Sequence, residues 1–257
     1  MAEYKAIHGT LFQHKTSDPK AAGLPGASWS SGGNLNTARN TKGSSAGTQN
    51  ASSVFGGQTS TAFVAIHEQY NGTAWTEATD LNTARYTNAG AGTTTSALAP
   101  IGANPGTQRV NNNESWNGSA WTEVADVNTS RRDGGGTGAS HTDAVIFGGA
   151  EFDSPPGSQS AKTEKYNGSS WSESGDLSTA RSSSGSAGVV STAALFFGPP
   201  AKTEQFNGAA WTEVAELNTD RQYAGGAGTY TAALAIGGDQ DPGITAITEF
   251  WNGTTWT

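Results

Sequence analysis

Arginine and glutamate recur in step along this chain, at positions where their opposite charges could meet. The arginines are Arg39, Arg85, Arg131, Arg181 and Arg221, and the glutamates are Glu68, Glu114, Glu164, Glu204 and Glu249. Each glutamate stands two residues before an aromatic residue, so on a β-strand its carboxylate shares the aromatic face and is partly buried. Since a buried carboxylate needs a partner, the pattern predicts an Arg–Glu ion pair in or between repeats. A ring of arginines that binds an anionic ligand is the alternative.

A second set of candidate residues lies in segments that vary between the repeats. These segments are 58–65, 103–111, 150–161, 199–202 and 239–246. A repeated scaffold with one variable set of loops is typical of a binding face. The residues that could contact a ligand there are Asn104, Arg109, Glu151, Phe152, Asp153, Asp239 and Asp241. The alternative is that they are solvated turn residues, for which Asp, Pro and Gly are ordinary choices.

The sequence contains no recognisable metal, cofactor or catalytic motif. Asp239 and Asp241 form an Asp-x-Asp, but calcium takes about six to eight oxygens and no full ligand pattern follows. The four histidines are scattered without zinc spacing, and there is no cysteine for a thiolate site. No Gly-x-Ser-x-Gly, Walker loop or paired-carboxylate motif is present. We therefore expect no metal, no cofactor and no catalytic residue.

Composition narrows the classes of partner. The net charge is −8 and only 14 residues are Lys or Arg, so a basic surface for nucleic acid is not expected. No segment approaches about 18 apolar residues, and the N-terminus shows no apolar leader. We expect neither membrane insertion nor a signal peptide. Regularly spaced tryptophans argue against disorder, despite the high content of Gly, Ser and Thr.

The tryptophans reveal a repeat. Five times an aromatic residue is followed directly by Asn-Gly and, five positions after the aromatic, by Trp. The pairs are Tyr70/Trp75, Trp116/Trp121, Tyr166/Trp171, Phe206/Trp211 and Trp251/Trp256. Trp29 stands before Arg39 at the spacing with which the later tryptophans precede their arginines. A repeat of about 45 residues with four strand signals in each unit predicts a β-propeller.

Each unit contains four predicted strands. The first is rich in small residues, as at 90–93, which suits strands that converge on the propeller axis. The second is apolar and ends in Gly, as at 144–149, which suits a strand covered on both faces by neighbouring blades. The third strand ends at the repeated aromatic residue and the fourth starts near the Trp.

Asn-Gly between the third and fourth strands is a strong hairpin signal. A two-residue turn would place Tyr70 opposite Thr73 and Glu68 opposite Trp75. Both aromatic side chains would then pack into the cleft between blades, where each can bury about 150–250 Å².

With Gly-Gly, an aromatic residue, Trp and Arg in this order, the unit resembles the kelch repeat over residues 29–257. In the first unit these elements are Gly56, Gly57, Tyr70, Trp75 and Arg85. Two units depart from the pattern, since 101–103 (Ile-Gly-Ala) and 197–199 (Phe-Gly-Pro) lack the second glycine. The resemblance implies a kelch-type β-propeller. The Thr-Ala-Arg and Asn-Gly-Ser-Ser-Trp segments and the opening residues 4–10 are also similar to kelch-like virion-associated proteins of marine bacteriophages.

We expect an all-β, kelch-like propeller of five four-stranded blades. The units are residues 39–80, 85–126, 131–176, 181–216 and 221–257. The Trp256 strand and the segment around Trp29 compete for the outer edge of one blade, so the chain ends should be adjacent, with a Trp29 strand helping closure. A six-bladed ring would require residues 1–28 to supply most of a blade. Their pattern favours a separate N-terminal arm instead.

The sequence favours a non-enzymatic virion or extracellular recognition protein, such as a tail fibre or capsid appendage. Residues 1–28 would attach to other virion proteins, and the variable loops would bind a host-surface glycan or protein. A purely structural or decorating virion protein is the alternative. A sugar-active kelch-type enzyme with acidic residues at a pocket mouth is a further alternative, and a homo-oligomer is left open.

Overall fold

The chain folds into five blades of four antiparallel strands in a propeller arrangement. The computed structural model describes the backbone of residues 4–7 and 10–13, and residues 29, 31–40, 45–86, 89–105, 109–151 and 159–257. Within these ranges no helix is formed, and thus none that is long and apolar enough to cross a membrane.

The strands follow one another through the blades in chain order. An N-terminal hairpin pairs β1 (Tyr4–Ile7) with β2 (Thr10–Gln13). Blade 1 contains β3 (Ser45–Thr48), β4 (Ala51–Phe55), β5 (His67–Tyr70) and β6 (Trp75–Ala78). Blade 2 contains β7 (Ala91–Thr93), β8 (Ser96–Ala99), β9 (Asn113–Trp116) and β10 (Trp121–Val124).

The later blades carry short extra ribbons. Blade 3 follows β11 (Arg131–Arg132) and contains β12 (Gly135–Ser140), β13 (Asp143–Phe147), β14 (Ala150–Glu151, paired with β11), β15 (Thr163–Tyr166) and β16 (Trp171–Glu173). Blade 4 contains β17 (Gly185–Val190), β18 (Ala193–Phe197), β19 (Thr203–Phe206) and β20 (Trp211–Val214). Blade 5 contains β21 (Gly225–Thr229), β22 (Ala232–Ile236), the ribbon β23 (Asp239–Gln240) and β24 (Gly243–Ile244), and β25 (Thr248–Trp251).

The C-terminus supplies the fourth strand of blade 5. Trp256 forms a bridge with Trp251, and Phe250 and Thr257 exchange two backbone hydrogen bonds of 2.9 Å. The expectation that a Trp29 strand helps closure was wrong, because residues 29 and 31–39 form no strand. The Trp29 side chain is 65% exposed.

The Asn-Gly hairpins are wider than predicted. Tyr70 pairs with Trp75 rather than with Thr73, so the predicted two-residue register was wrong. The cause is the Asn71 side chain, whose Oδ1 accepts the backbone N–H groups of the second and third residues after it, each at 3.0 Å. This side-chain turn spans four loop residues. The paired aromatic rings still share one face, with centroids 5.1 Å apart in blade 1.

Apolar side chains fill the clefts between consecutive blades. In β13, Phe147 packs with blade 4 while Ile146 packs with blade 2, so this strand is covered on both faces as predicted. Trp211 of blade 4 meets Phe147 edge-on, with ring centroids 4.8 Å apart. Four such clusters fill the interfaces 1/2, 2/3, 3/4 and 4/5. Among the residues that the structure describes, no buried cluster joins blade 5 to blade 1.

The glycines after the second strands align differently from the sequence pattern. Gly57, Gly102 and Gly149 each donate a backbone N–H to the carbonyl of the arginine that follows their blade, at 2.8, 3.0 and 2.9 Å. Blade 2 therefore lacks the first glycine, and the prediction that it lacks the second was wrong. Ile101 takes the first position with φ 51°, the left-handed conformation that Gly148 adopts at φ 63°. Its fully buried side chain joins the 2/3 cluster, which offsets the backbone strain.

The first strands of neighbouring blades approach closely, as their small residues predict. A Cβ added at Gly90 would lie 2.3 Å from the carbonyl oxygen of Ser45 in blade 1. A Cβ added at Gly226 would lie 2.0 Å from the carbonyl oxygen of Ser186 in blade 4. Both distances are far shorter than van der Waals contact, so these positions require glycine.

We expect Gly90→Ala to lower the free energy of unfolding by about 1–3 kcal/mol, because the Ser45 backbone must move to admit the methyl group. Chemical denaturation measures the change. Gly243→Ala is the matched control, since nothing lies within 4 Å of a Cβ at Gly243, and its effect should stay within about 0.5 kcal/mol. Equal stability of the two variants would contradict tight packing at the first strands.

Candidate ligand-binding face

Short bridges attach the variable loops to the connections between blades. In four repeats the residue after the repeated Arg pairs with the residue after the glycine position. These bridges are Asn40–Gln58, Tyr86–Ala103, Arg132–Ala150 and Gln222–Asp239. In blade 4 the equivalent residue is Pro200, which has no N–H to donate. The loops between second and third strands therefore share one face with the blade connections, and we call this the loop face.

Buried ion pairs hold each connection to its blade. All five repeated arginines pair with a repeated glutamate: Arg39–Glu68, Arg85–Glu114, Arg131–Glu164, Arg181–Glu204 and Arg221–Glu249. The nitrogen–oxygen distances in the last three pairs are 2.8, 2.7 and 3.1 Å. The second carboxylate oxygen accepts a backbone N–H from the connection, as Glu164 does from Asn128 at 2.7 Å. The five arginine charges are thus used inside the protein, which argues against the alternative of an anion-binding arginine ring.

Burial and ion pairing shift the pKa values of these arginines and glutamates in opposite directions. Burial lowers the pKa of Arg85, Arg131 and Arg181 below the ordinary arginine value, and the paired glutamate counteracts it. Burial favours a raised pKa at Glu68, but hydrogen bonds from Arg39 and from two backbone amides outweigh it and hold the pKa of Glu68 below its ordinary value. The carboxylate is therefore stabilised in its charged form by the contacts that attach the connection.

A groove of 520 Å³ opens on the loop face between blades 1 and 2, and we call it the blade 1–2 groove. Its lining consists of Gln58, Thr61, Ala62, Phe63, Ala103, Asn104, Pro105 and Arg132. The half-buried Phe63 ring stacks on Tyr86, with centroids 5.8 Å apart and an interplanar angle of 11°. The groove therefore combines a fixed aromatic surface with amide groups and a cation, which suits a polar ligand that also has apolar faces.

A second depression of 380 Å³ lies at blade 5, and we call it the blade 5 pocket. Its lining consists of Pro199, Asp220, Arg221, Gln222, Asp239, Gln240, Asp241, Pro242 and Gly243. The Arg221 charge is already paired with Glu249 at 3.1 Å, so three carboxylates dominate this pocket. Within the described residues, no group of three or more His, Cys, Asp or Glu side chains is arranged to hold a metal ion.

The structure distributes the predicted candidates over three places. Asn104 lines the blade 1–2 groove, whereas Asp239 and Asp241 line the blade 5 pocket. Arg109 Nε donates to the Ala150 carbonyl at 3.2 Å, which places it beside the loop of blade 3. In that loop Glu151 accepts a hydrogen bond from Ser160 and lies 3.5 Å from the ammonium group of Lys162. Phe152 and Asp153 lie outside the described residues.

Sequence reasoning missed the residues that give the groove its character. Phe63 and Tyr86 come from different units and neither belongs to the repeated aromatic pattern. The signal that could have found Tyr86 is its position directly after a repeated Arg, where the chain pairs with a variable loop. Phe63 is an aromatic residue in an otherwise polar loop, which is also informative.

A comparison with models of protein families finds no match, and a comparison with curated proteins finds none either. The fold itself defines the class: a five-bladed β-propeller whose blades carry the repeated tryptophans, consistent with a kelch-type arrangement.

Proposed function

We propose that this chain is a non-enzymatic recognition protein that binds a host-surface glycan or protein through its loop face, as part of a bacteriophage tail or capsid appendage. The blade 1–2 groove is the binding site in this proposal. A propeller is compatible with such a role, but propellers serve many functions.

The observation that carries the proposal is the groove's lining. Sugars and extended peptides present both apolar faces and hydrogen-bonding groups, and binding sites meet them with a few placed polar groups around an aromatic surface. Phe63, held by Tyr86, supplies the surface at the groove. Asn104 and Arg132 supply hydrogen-bond donors in its lining. The acidic blade 5 pocket offers carboxylates without an aromatic surface.

Rigid connections support the same proposal. Asp133, Ser183 and Tyr223 all adopt left-handed backbone conformations, with φ of 58°, 59° and 56°. Ser183 donates its N–H to the Asp133 carbonyl at 2.9 Å, and Tyr223 donates to the Ser183 carbonyl at 2.7 Å. These two bonds join the three connections that lead into blades 3, 4 and 5. A preformed face of this kind loses little conformational entropy when it binds a partner.

We expect Phe63→Ala to weaken binding about tenfold, since an aromatic contact contributes about 1–1.5 kcal/mol. The purified protein is labelled and applied to a broad glycan array that includes marine polysaccharides. Any hit is then titrated by calorimetry. Asn104→Ala should weaken the same interaction through the loss of a hydrogen-bonding amide.

Thr73→Ala is the matched control, because Thr73 is exposed on an Asn-Gly hairpin at the opposite face. Binding that survives Phe63→Ala but is lost on Asp239→Asn and Asp241→Asn would move the site to the blade 5 pocket. An array without any hit would favour the structural or decorating role, in which the partner is another virion protein.

A further inference from the structure

The blade 1–2 groove has a charge opposite to that of the protein as a whole. The chain carries a net charge of −8, and the blade 5 pocket is lined by three aspartates. Among the described residues that line the groove, Arg132 is the only charged one. The groove is therefore a local positive site on an acidic molecule, and an anionic ligand is attracted there rather than repelled.

The Arg132 charge has no structural partner comparable with that of its neighbour. Arg131 is fully buried, and its guanidinium lies 2.8 Å from the Glu164 carboxylate. The Arg132 side chain is 37% exposed, and its Nε lies 3.4 Å from Asp133 Oδ2 without forming a hydrogen bond. Because exposed pairs of this kind are weak, the anionic group of a ligand can compete with Asp133 for the guanidinium.

The fold does not require a cation at this position. The residues that follow the five repeated arginines are Asn40, Tyr86, Arg132, Ser182 and Gln222. Four of them make the same backbone bridge to a variable loop, although their side chains differ in charge and shape. Since the bridge does not select arginine, the Arg132 guanidinium is left for a role other than folding.

A second arginine strengthens the positive charge on this side of the groove. Arg132 pairs in register with Ala150 of β14, and Arg109 Nε donates to the carbonyl of the same Ala150 at 3.2 Å. Two arginines are therefore neighbours of one residue in the blade 3 loop. The Glu151 carboxylate lies 3.5 Å from Lys162 Nζ, so another cation already faces the acidic residue that follows.

Backbone bridges fix the distance between the cation and the aromatic surface. Tyr86, on which Phe63 stacks, pairs with Ala103 across one strand spacing. The residue before Ala103 donates its N–H to the carbonyl of the residue before Arg132 at 3.0 Å, which adds a second spacing. At about 4.8 Å for each spacing, the backbone of Arg132 lies about 10 Å from that of Tyr86. One or two linked sugar rings extend over such a distance.

We propose that the blade 1–2 groove selects an anionic glycan, in which a carboxylate or sulfate group binds Arg132 while a sugar ring packs on Phe63. This inference rests on the function proposed above and names the class of ligand for the same site. The planar guanidinium donates two parallel hydrogen bonds to an oxyanion of either kind. Charge therefore decides which sugars the groove accepts.

Two pairs of matched oligosaccharides test the role of the charge. Oligogalacturonate and its methyl ester share one backbone and differ in the carboxylate, and a sulfated galactan oligosaccharide is compared with its desulfated form. Calorimetric titration of the full chain should show that the anionic member of at least one pair binds about tenfold more tightly than its neutral member. The pair with the larger difference identifies the preferred anion. Added sodium chloride should weaken only the anionic binding.

Variants of the full chain assign the charge effect to one residue. Arg132→Gln should weaken binding of the anionic member about tenfold and leave the neutral member unchanged, because it removes the charge but not the aromatic surface. Phe63→Ala should weaken binding of both members. Lys202→Gln is the matched control, since it removes one positive charge from the variable loop of blade 4, where Lys202 pairs with Glu213 at 2.7 Å. It should change neither affinity.

Equal affinity for both members of both pairs would overturn the inference, as would an Arg132→Gln variant that binds the anionic member as tightly as the parent. If the binding still depended on Phe63, the proposed recognition function would stand and only the class of ligand would be wrong. Anionic binding that neither Arg132→Gln nor Phe63→Ala weakened would place the site elsewhere and overturn both proposals. Absence of binding by all four oligosaccharides would overturn the inference, whereas a different, Phe63-dependent hit on the glycan array would keep the function.

Discussion

Arg131→Met should lower the free energy of unfolding by about 3–5 kcal/mol, the cost of leaving a buried charge without its partner. Arg131 and Glu164 are both fully buried, and their nearest nitrogen and oxygen atoms lie 2.8 Å apart. Methionine fills a similar volume but leaves the carboxylate with only the Asn128 amide at 2.7 Å. Chemical denaturation of the purified variant measures the loss.

Two further variants separate charge pairing from general disruption of the core. Arg132→Met changes the neighbouring arginine, whose side chain is 37% exposed and 3.4 Å from Asp133, and should cost less than about 1 kcal/mol. The double variant Arg131→Met with Glu164→Met removes both buried charges and should recover part of the stability. If both single Met variants at the pair were as stable as the parent, the ion pair would have no structural role.

The stability of the protein should fall by about 3 kcal/mol between pH 6.5 and pH 4 because of one buried histidine. Burial lowers the pKa of His67 from 6.5 to about 4. The unfolded chain therefore binds a proton in this range that the folded chain does not, so acid favours unfolding. The full contribution is present above pH 6.5 and is lost as the pH falls to 4. Glu68 adds to the loss below its ordinary pKa, since its folded pKa is also lowered.

The position of His67 explains why it stays neutral. Its ring lies among Phe55, Trp116 and Trp121, with centroids 6.1, 4.7 and 5.4 Å away. Its Nδ1 lies 3.2 Å from Trp121 Nε1. An imidazolium in this setting would lose its hydration, and the Thr79 carbonyl 3.2 Å from Nδ1 and the nearby Asp80 carboxylate offset that loss only in part, so burial dominates the pKa.

His67→Thr provides the test, because the equivalent position in blades 3 and 4 is already threonine. Thr163 and Thr203 each accept the indole N–H of the next blade's tryptophan. Urea titrations at several pH values should show that the variant loses the decline between pH 6.5 and 4 while it stays folded at pH 7. A variant that keeps the same pH dependence would show that His67 is not its source.

Local pattern was enough to predict the blades and the buried charges. The four strands of each unit and the aromatic pairs follow from spacings within one repeat, and they recur. The Arg–Glu pairing was predicted from the burial of a repeated carboxylate, and whether it lies within or between repeats was left open. Repetition makes such predictions robust, because a single chance match would not return five times. The hairpin register failed for a local reason, since the Asn71 side chain bonds to two amides and widens the loop. The prediction for the glycine pair of blade 2 failed because Ile101 occupies the first glycine position, where the burial of its side chain offsets the strained backbone.

Sequence by itself therefore determined the class of fold and the order of the strands, since these follow from features that recur in every repeat. It also indicated that the repeated arginines and glutamates pair, but not which residue meets which. Tertiary structure decided where the repeats meet: Phe63 stacks on Tyr86 across two blades, and the Asp239 and Asp241 pair lies apart from Asn104. It also decided which blade faces are covered. Burial of a blade face depends on packing against residues that are distant in the chain. The spacing within one unit therefore does not show whether the last blade packs against the first.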